Sequence, residues 1–393
     1  IGRGRLGHAS SFEWREFGGA RPVNRKFLPR IIAVQPWGII IPLLLLVCFG
    51  AAVLYSAAGG SLMPWALLHV VRFVVFLIMA IIIAGMSRDF IRLMALPVYV
   101  ILLLMLMALE AMGFVGGGSQ RWLDLGFMTL QPSELMKPAI VIILARFYDM
   151  LPPAATREFS SLIVPGVLIG LPVGLVLMQP DLGTSLAIVF GAGLVMFLAG
   201  LPLSWFITVG VAGLAAIPLA FFFALHDYQQ RRVLTFLDPE SDPLGAGYHI
   251  TQSKIAIGSG GLFGKGFGNG SQSHLNYLPE PHTDFVFATM AEEWGMMGGL
   301  FVLIVFGLLL RWGIKVAMGT RDRFGQLMAA GLTATIFFYA AINLMMVMGL
   351  APVVGIPLPF MSHGGSSMLT IMICVGLIMA VERWNTREPG SFA

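Results

Sequence analysis

Ten apolar runs, each close to the length needed to cross a bilayer core, recur along this 393-residue chain, at residues 38–57, 66–86, 94–114, 131–148, 162–178, 182–200, 205–225, 284–310, 324–348 and 366–383. The in-and-out alternation of barrel strands is missing from them. With 57% hydrophobic and 11% charged residues and a mean hydropathy of +0.85, the chain also carries far more unbroken apolar sequence than a soluble core of this size needs. The expectation is an all-α polytopic membrane protein of about ten transmembrane helices.

Charge gives these runs a direction. An even number of crossings puts both termini on one side. If that side is the cytoplasm, the tails and connections there hold 17 Lys and Arg against five on the other side, the bias of the positive-inside rule. The net charge of +4 then reflects topology, and no nucleic-acid motif accompanies it. Residues 1–36 read as a basic cytoplasmic tail with seven Lys or Arg, too long before the first apolar run for a cleaved signal peptide. Residues 37–384 form the transmembrane domain, and 385–393 a second cytoplasmic tail. Cys48 and Cys374 both fall in apolar runs and read as small buried residues, not as a disulfide or metal pair.

One connection is long. Residues 226–283, between the seventh and eighth runs, lie on the extracytoplasmic side and are rich in Gly, Pro and polar residues. Long loops of mixed composition usually carry function. Within this one, "GSGGLFGKGFGNG" fails the nucleotide-loop spacing, because Ser259 stands where the first Gly belongs and Gly266 follows Lys265. What remains is a hinge whose bare backbone can approach a ligand or a neighbouring helix, with Lys265 as a cation for a phosphate. No His, Cys or carboxylate cluster has dedicated metal spacing, and no cofactor motif survives inspection.

Five stretches, "QRWLDLGFMTLQPSELMK", "QPDLGTS", "YQQRRVLTFLDPESDPLGAGYHITQSKIAIGSGGLFGKGF", "LPEPHTDFVFATMAEEWG" and "PLPFMSHGGSS", resemble successive motifs of the SEDS family of cell-shape and division proteins. The likeness runs from about Gly116 to Glu382 and is closer to the RodA branch than to FtsW. His363 departs from it, standing where the family commonly has Tyr. The resemblance implies a peptidoglycan glycosyltransferase of the bacterial inner membrane, polymerising lipid II on the periplasmic face during elongation. It places the family's essential aspartate on Asp284.

That chemistry suits a single base. A lipid-linked sugar leaves as a diphosphate, so it needs cations more than the protonating acid of a glycosidase. Asp284 would take the proton of the acceptor 4-hydroxyl; its competing role is to cap the eighth helix. Arg121, Arg231, Arg232, Lys254 and Lys265 are cations on the outer side for the diphosphate or lipid headgroups. His282 is a proton relay or a headgroup contact. A divalent cation bridging Asp284 or Glu280 to the diphosphate stays open.

Other charges have structural readings beside functional ones. Glu134 and Lys137 share a helix face, either as a structural ion pair or with Lys137 near the diphosphate. Asp181 reads as a helix cap, and His69 and Arg72 as polar residues packed inside the bundle. Asp284, Ala288, Ala291, Gly295 and Gly298 form a stripe of small residues, leaving Glu292 and Glu293 structural or ion-paired. A lipid II flippase is the alternative function, and a scaffold the third. The chain lacks a domain for cross-linking, so it implies a separate partner. By resemblance that partner is a class B penicillin-binding protein, docked on the eighth and ninth spans at "MMGGL" and "MAAGLTA". Other membrane proteins of the elongation complex are further candidates.

Overall fold

The computed structural model describes residues 36–111, 122–124, 129–152, 155–179, 181–223, 230, 234, 238, 246–275, 277–278 and 280–387. Two compact units divide the chain, Ile1–Trp37 and Gly38–Ala393. Most of the first lies outside the described residues, as do Arg121, Arg231 and Arg232.

Long helices occupy the apolar runs: α1 (Trp37–Ala57), α2 (Trp65–Ala84), α3 (Arg88–Ala111), α4 (Pro132–Met150), α5 (Ser160–Met178), α6 (Leu182–Leu198), α7 (Leu203–Phe223), α10 (Val286–Gly319), α11 (Arg323–Val347) and α12 (Gly365–Arg387). Seven of them, α1, α2, α3, α5, α10, α11 and α12, are long and apolar enough to cross a membrane, the mark of a multi-pass membrane protein. Helices satisfy every interior backbone group within one segment, which is why apolar sequence of this length takes no other form in lipid. A two-stranded hairpin, β1 (Leu123–Asp124) and β2 (Thr129–Leu130), precedes α4.

The connection expected as a loop over residues 226–283 is partly helical. It contains α8 (Ala246–Ser259) and the single turn α9 (Ser271–His274). Packing holds α8 there: it lies against α10 and α11, and the Ser253 hydroxyl donates to the Val347 carbonyl at 2.7 Å.

Burial ranks the helices. In the most apolar stretch of each, 83% of α12 residues and 67% of α11 residues are buried, against 22% in α5. Hence α11 and α12 form the centre and α5 the lipid-facing rim. Small residues make this possible: a Cβ at Gly376 of α12 would lie 2.9 Å from the Ala80 backbone of α2, and one at Gly331 of α11 2.5 Å from Val195 of α6.

The two ends of the bundle differ chemically. At one end Arg88 reaches Asp322 at 3.5 Å, Arg92 pairs with Asp149, and Trp384 donates to the Met86 carbonyl at 3.0 Å. Arg323 donates there to the carbonyls of Leu151 at 3.1 Å and Ala199 at 2.9 Å. This basic end joins the last turns of α2, α4, α6 and α12 to the first turns of α3 and α11. The opposite end gathers the starts of α2, α10 and α12.

Helix α10 is broken. Gly295 has φ +63° and ψ −158°, so the helix stops and restarts there. The glycine-rich segment 260–266 crosses the gap backbone to backbone. Lys265 and Gly266 N–H groups donate to the carbonyls of Glu292 and Glu293, each at 3.0 Å. In return Met296 N–H donates to Gly261 at 2.9 Å and Met297 N–H to Leu262 at 3.2 Å. The groups freed by the break are thus re-satisfied, the condition for irregular backbone at membrane depth. The segment makes the bare-backbone approach to a neighbouring helix that its glycine content suggested, and the small-residue stripe through Gly298 is interrupted at Gly295.

Candidate active site

Asp284 lies two residues before α10, half-buried, in the turn that ends the long connection. Phe285 holds the cap position, one residue beyond the place where the sequence suggested a capping Asp284. The turn is anchored by a side chain that the sequence reading passed over. Asn343, buried in the last turns of α11, donates through Nδ2 to the Asp284 carbonyl at 2.9 Å and to the Ile356 carbonyl at 2.7 Å. It therefore clips the turn before α10 to the segment between α11 and α12. Opposite the carboxylate stands Gly355, with φ +70°; a Cβ there would fall 3.6 Å from Asp284 Oδ2. At Gly355 the segment therefore presents bare backbone to the acid.

Next to it the start of α2 meets the start of α12. His282 stacks on Trp65, with ring centroids 4.7 Å apart, and its carbonyl accepts from the His363 N–H at 2.8 Å. The His363 ring meets Trp65 edge-on at 4.9 Å. Arg72 can only donate, so His363 Nε2, 3.0 Å away, accepts from it. The His363 proton is then on Nδ1, which donates to the Trp65 carbonyl at 3.3 Å. Burial, and after it the Arg72 guanidinium, push the His363 pKa down to about 4, which keeps the ring neutral. Burial lowers His282 as well, against the raising effect of Glu280. His69, one turn from Arg72, is buried and donates to the Phe360 carbonyl at 3.0 Å, as expected of a polar residue packed inside the bundle.

One turn deeper on α11, about 6 Å below Asn343, Tyr339 completes a buried trio. Lys137 Nζ donates to Glu134 at 2.5 Å and to the Tyr339 hydroxyl at 2.7 Å, and that hydroxyl donates to the other Glu134 oxygen. Lys137 is 0% exposed. Its ammonium belongs to an internal pair, so direct contact with a substrate phosphate would require the trio to open. Tyr339 and Asn343, four residues apart, lie on one face of α11, and that spacing was the available signal for both. Nearby, Asp181 caps α6 through Thr184 N–H at 3.0 Å and accepts from Gln131 at 3.0 Å.

The remaining candidates are distributed differently from the expectation. Lys265 pairs with buried Glu292 at 2.6 Å and donates to Ser271 at 2.8 Å, so its charge is already engaged. Glu292 accepts further from Ser271 Oγ at 3.0 Å and Gln272 N–H at 3.1 Å. Glu293 accepts from Ser56. Both acids are structural or ion-paired, as the helical phase implied. Lys254 is exposed on α8, where its Nζ would lie 2.8 Å from a Cβ at Gly349. Glu280 is exposed at φ +43° and accepts from the Thr283 hydroxyl at 3.3 Å. The structure thus brings Asp284, His282 and Glu280 together at one end. Lys265 is held against α10 by Glu292. Among the described residues no group of three or more His, Cys, Asp or Glu converges on a metal position. Cys48 and Cys374 are free thiols, the first exposed and the second buried.

Comparison with known proteins agrees with the fold. The chain is 43% identical over 363 residues to the peptidoglycan glycosyltransferase MrdB of Escherichia coli K12, covering 91% of this chain and 96% of that protein. It is 39% identical over 284 residues to stage V sporulation protein E of Bacillus subtilis, covering 72% and 76%. Among solved structures, a chain from work on the structural coordination of polymerization and crosslinking by a peptidoglycan synthase complex matches with a TM-score of 0.77 and 31% identity, over 90% of this chain and 99% of that one. The rod shape determining protein RodA of Thermus thermophilus matches with a TM-score of 0.67 and 29% identity, over 89% and 97%. The profile of the cell cycle proteins FtsW, RodA and SpoVE matches residues 36–387. The chain belongs to the FtsW/RodA/SpoVE family of cell cycle proteins.

Proposed function

We propose that this chain is a peptidoglycan glycosyltransferase of cell elongation that polymerises lipid II, with Asp284 as its general base. The observation that carries the reading is the near full-length identity to MrdB, a named peptidoglycan glycosyltransferase, in a chain whose Asp284 sits in a clipped turn at the polar end of the bundle. The acceptor 4-hydroxyl attacks the anomeric carbon of the donor. The new C–O bond forms as the bond to the lipid diphosphate breaks, and the hydroxyl proton passes to the Asp284 carboxylate. The leaving diphosphate departs as an anion and needs no acid, which fits a site with one base. A divalent cation bridging Glu280 or Asp284 to the diphosphate would draw its remaining ligands from substrate and water; an assay with a chelator tests that.

All ten long helices cross the membrane in this reading, α4, α6 and α7 included. Support comes from the alternation of helix ends: each long helix that starts at the basic end is followed by one that returns to it. That end faces the cytoplasm by the positive-inside rule, and the Asp284 end faces the periplasm of the inner membrane. The basic tail through residue 36 is cytoplasmic in the same scheme. Of the cations that the sequence points to, Arg121, Arg231, Arg232 and Lys254 remain for the diphosphate.

A membrane-anchored transpeptidase is the partner, supported by the likeness to a chain of a peptidoglycan synthase complex. Its docking surface is placed on α10 in this reading. Met328, Ala329 and Leu332 of "MAAGLTA" are buried within the bundle, while Ala330, Thr333 and Ala334 line an apolar cavity between α6, α10 and α11. On α10, Met296 is 58% exposed, and Met297 and Leu300 stand out beside it, which leaves "MMGGL" as the proposed contact.

The test is polymerisation of labelled lipid II by the purified chain in detergent, where no second compartment exists for transport. Asp284→Asn should abolish product while leaving the melting temperature near that of the wild type. Substantial glycan from a well-folded Asp284→Asn variant would remove the base assignment, and absence of product from wild type with its partner present would remove the enzyme reading.

A further inference from the structure

Arg72 is the charge that the proposed mechanism leaves unused. It lies seven residues into α2, about 10 Å from the start of that helix, in a helix whose mean hydropathy is 2.8. A guanidinium at such a depth is costly and is ordinarily matched by a carboxylate. Here none matches it: among the described residues Arg72 forms no ion pair, and its hydrogen-bond partner is the neutral ring of His363.

The surroundings add positive potential. The guanidinium lies over the first residue of α12, where a Cβ at Gly365 would be 3.5 Å from Arg72 Cζ. The positive end of a 23-residue helix and a fixed cation therefore face each other. Two like features in contact repel unless an anion joins them. His363 holds the guanidinium in this place without neutralising it, because an acceptor nitrogen fixes direction and carries no charge. In the same corner buried His69 Nδ1, an acceptor once Nε2 donates to Phe360, has no partner among the described residues. A water or ligand hydroxyl would satisfy it.

We propose that Arg72, oriented by His363 at the start of α12, binds the diphosphate of a lipid-linked ligand. This rests on the polymerase reading for the identity of the lipid and extends it by assigning the counter-charge. The forked guanidinium donates to two phosphate oxygens at once, which an ammonium does not do. Both a lipid diphosphate and an ordinary phospholipid headgroup offer phosphate oxygens at this depth, so the experiment separates them.

The full chain in nanodiscs is titrated with a polyprenyl diphosphate, with the matching polyprenol, and with phosphatidylglycerol in a phosphatidylcholine background. Wild type should prefer the diphosphate over the alcohol at least tenfold. Arg72→Gln should lose that preference, with polyprenol binding unchanged, and Arg72→Lys should retain part of it. An unchanged preference in folded Arg72→Gln would overturn the proposal; if that variant fails to fold, an unchanged preference in Arg72→Lys does so. An Arg72-dependent gain of the same size for phosphatidylglycerol would assign the corner to bulk headgroups and overturn the diphosphate assignment. Glycan synthesis with Arg72-independent binding would sink this inference alone. Arg72-dependent diphosphate binding with no glycan synthesis would sink the polymerase reading alone.

Discussion

Gly264 lies so close to Glu293 that a Cβ on the glycine would fall 2.0 Å from the Glu293 carbonyl oxygen. The same approach recurs at Gly260, whose Cβ would meet the Ala291 carbonyl at 2.0 Å, and at Gly295, 2.3 Å from Gly264 N. Two backbones cross here in direct contact, and the break in α10 exists because the crossing segment supplies the hydrogen bonds that the helix gives up.

Gly264→Ala should therefore unseat the crossing. The position has φ +78°, where an L-residue costs about 1–2 kcal/mol from its own backbone, and the overlap adds to that. The expected result is a lower melting temperature and faster amide exchange at Met296 and Met297, whose N–H groups lose their acceptors. Unaltered exchange at those two residues would show that the crossing does not depend on bare backbone.

This crossing marks the limit of what the sequence made legible. The helices themselves were readable, since apolar length and helix period are local properties, and the start of α5 or α6 was placed within two residues. The interruption at Gly295 was not, because "EEWGMMGGL" contains no proline and the break comes from a segment about 30 residues away. For the same reason α8 reads as loop in the sequence: "AGYHITQSKIAIGS" has weak helical propensity, and contact with α10 and α11 makes it a helix. In the site, Asp284 was legible by motif. Asn343 was not singled out, although a lone amide in an apolar run is itself a signal. Arg72 and His363 each stand out in the sequence, but their meeting across 291 positions is a tertiary fact.

The Lys265 and Glu292 pair offers a test that separates structure from substrate contact. Glu292 is buried, while the Lys265 side chain is 30% exposed. Removing one partner of such a pair should cost about 2–3 kcal/mol, less than for a fully buried pair because water reaches the lysine. Lys265→Met should lower the melting temperature with little change in KM, and adding Glu292→Gln should recover part of the loss. A large rise in KM without loss of stability would return Lys265 to the substrate.

Acid should weaken the Trp65 corner in a defined window. His363 is held at about 4 by burial and then by Arg72, against an ordinary 6.5, so the folded chain binds fewer protons than the unfolded one between those values. The stabilisation is complete above about pH 6.5 and is lost as pH falls toward 4. His282, lowered by burial, shifts the same way. His363→Gln keeps an acceptor for Arg72 and removes the titration. Its melting temperature should decline less than that of the wild type across this window, and parallel declines would show that His363 is not the group responsible.

Asn343 is the positioning residue whose loss should separate rate from binding. Its amide reaches two backbone carbonyls, at 2.9 Å and 2.7 Å, and so fixes where the Asp284 turn stands relative to Gly355 and Ile356. Asn343→Asp keeps the volume but offers the two carbonyls at most one O–H donor, and none when ionised. A displacement of about 1 Å at a reacting group can cost on the order of 100-fold in rate. The expected outcome is a fall in kcat of about 10- to 100-fold with KM changed less, because the cations proposed for the diphosphate lie outside the turn that this clip holds. Stability should fall by about 1–3 kcal/mol, the cost of leaving buried polar groups without partners. Asn343→Ala should behave alike, which excludes the added charge as the cause. Melting curves and steady-state kinetics on the same preparations decide the matter: wild-type kcat in Asn343→Asp, at any melting temperature, would mean that the turn carrying Asp284 is positioned by something other than Asn343.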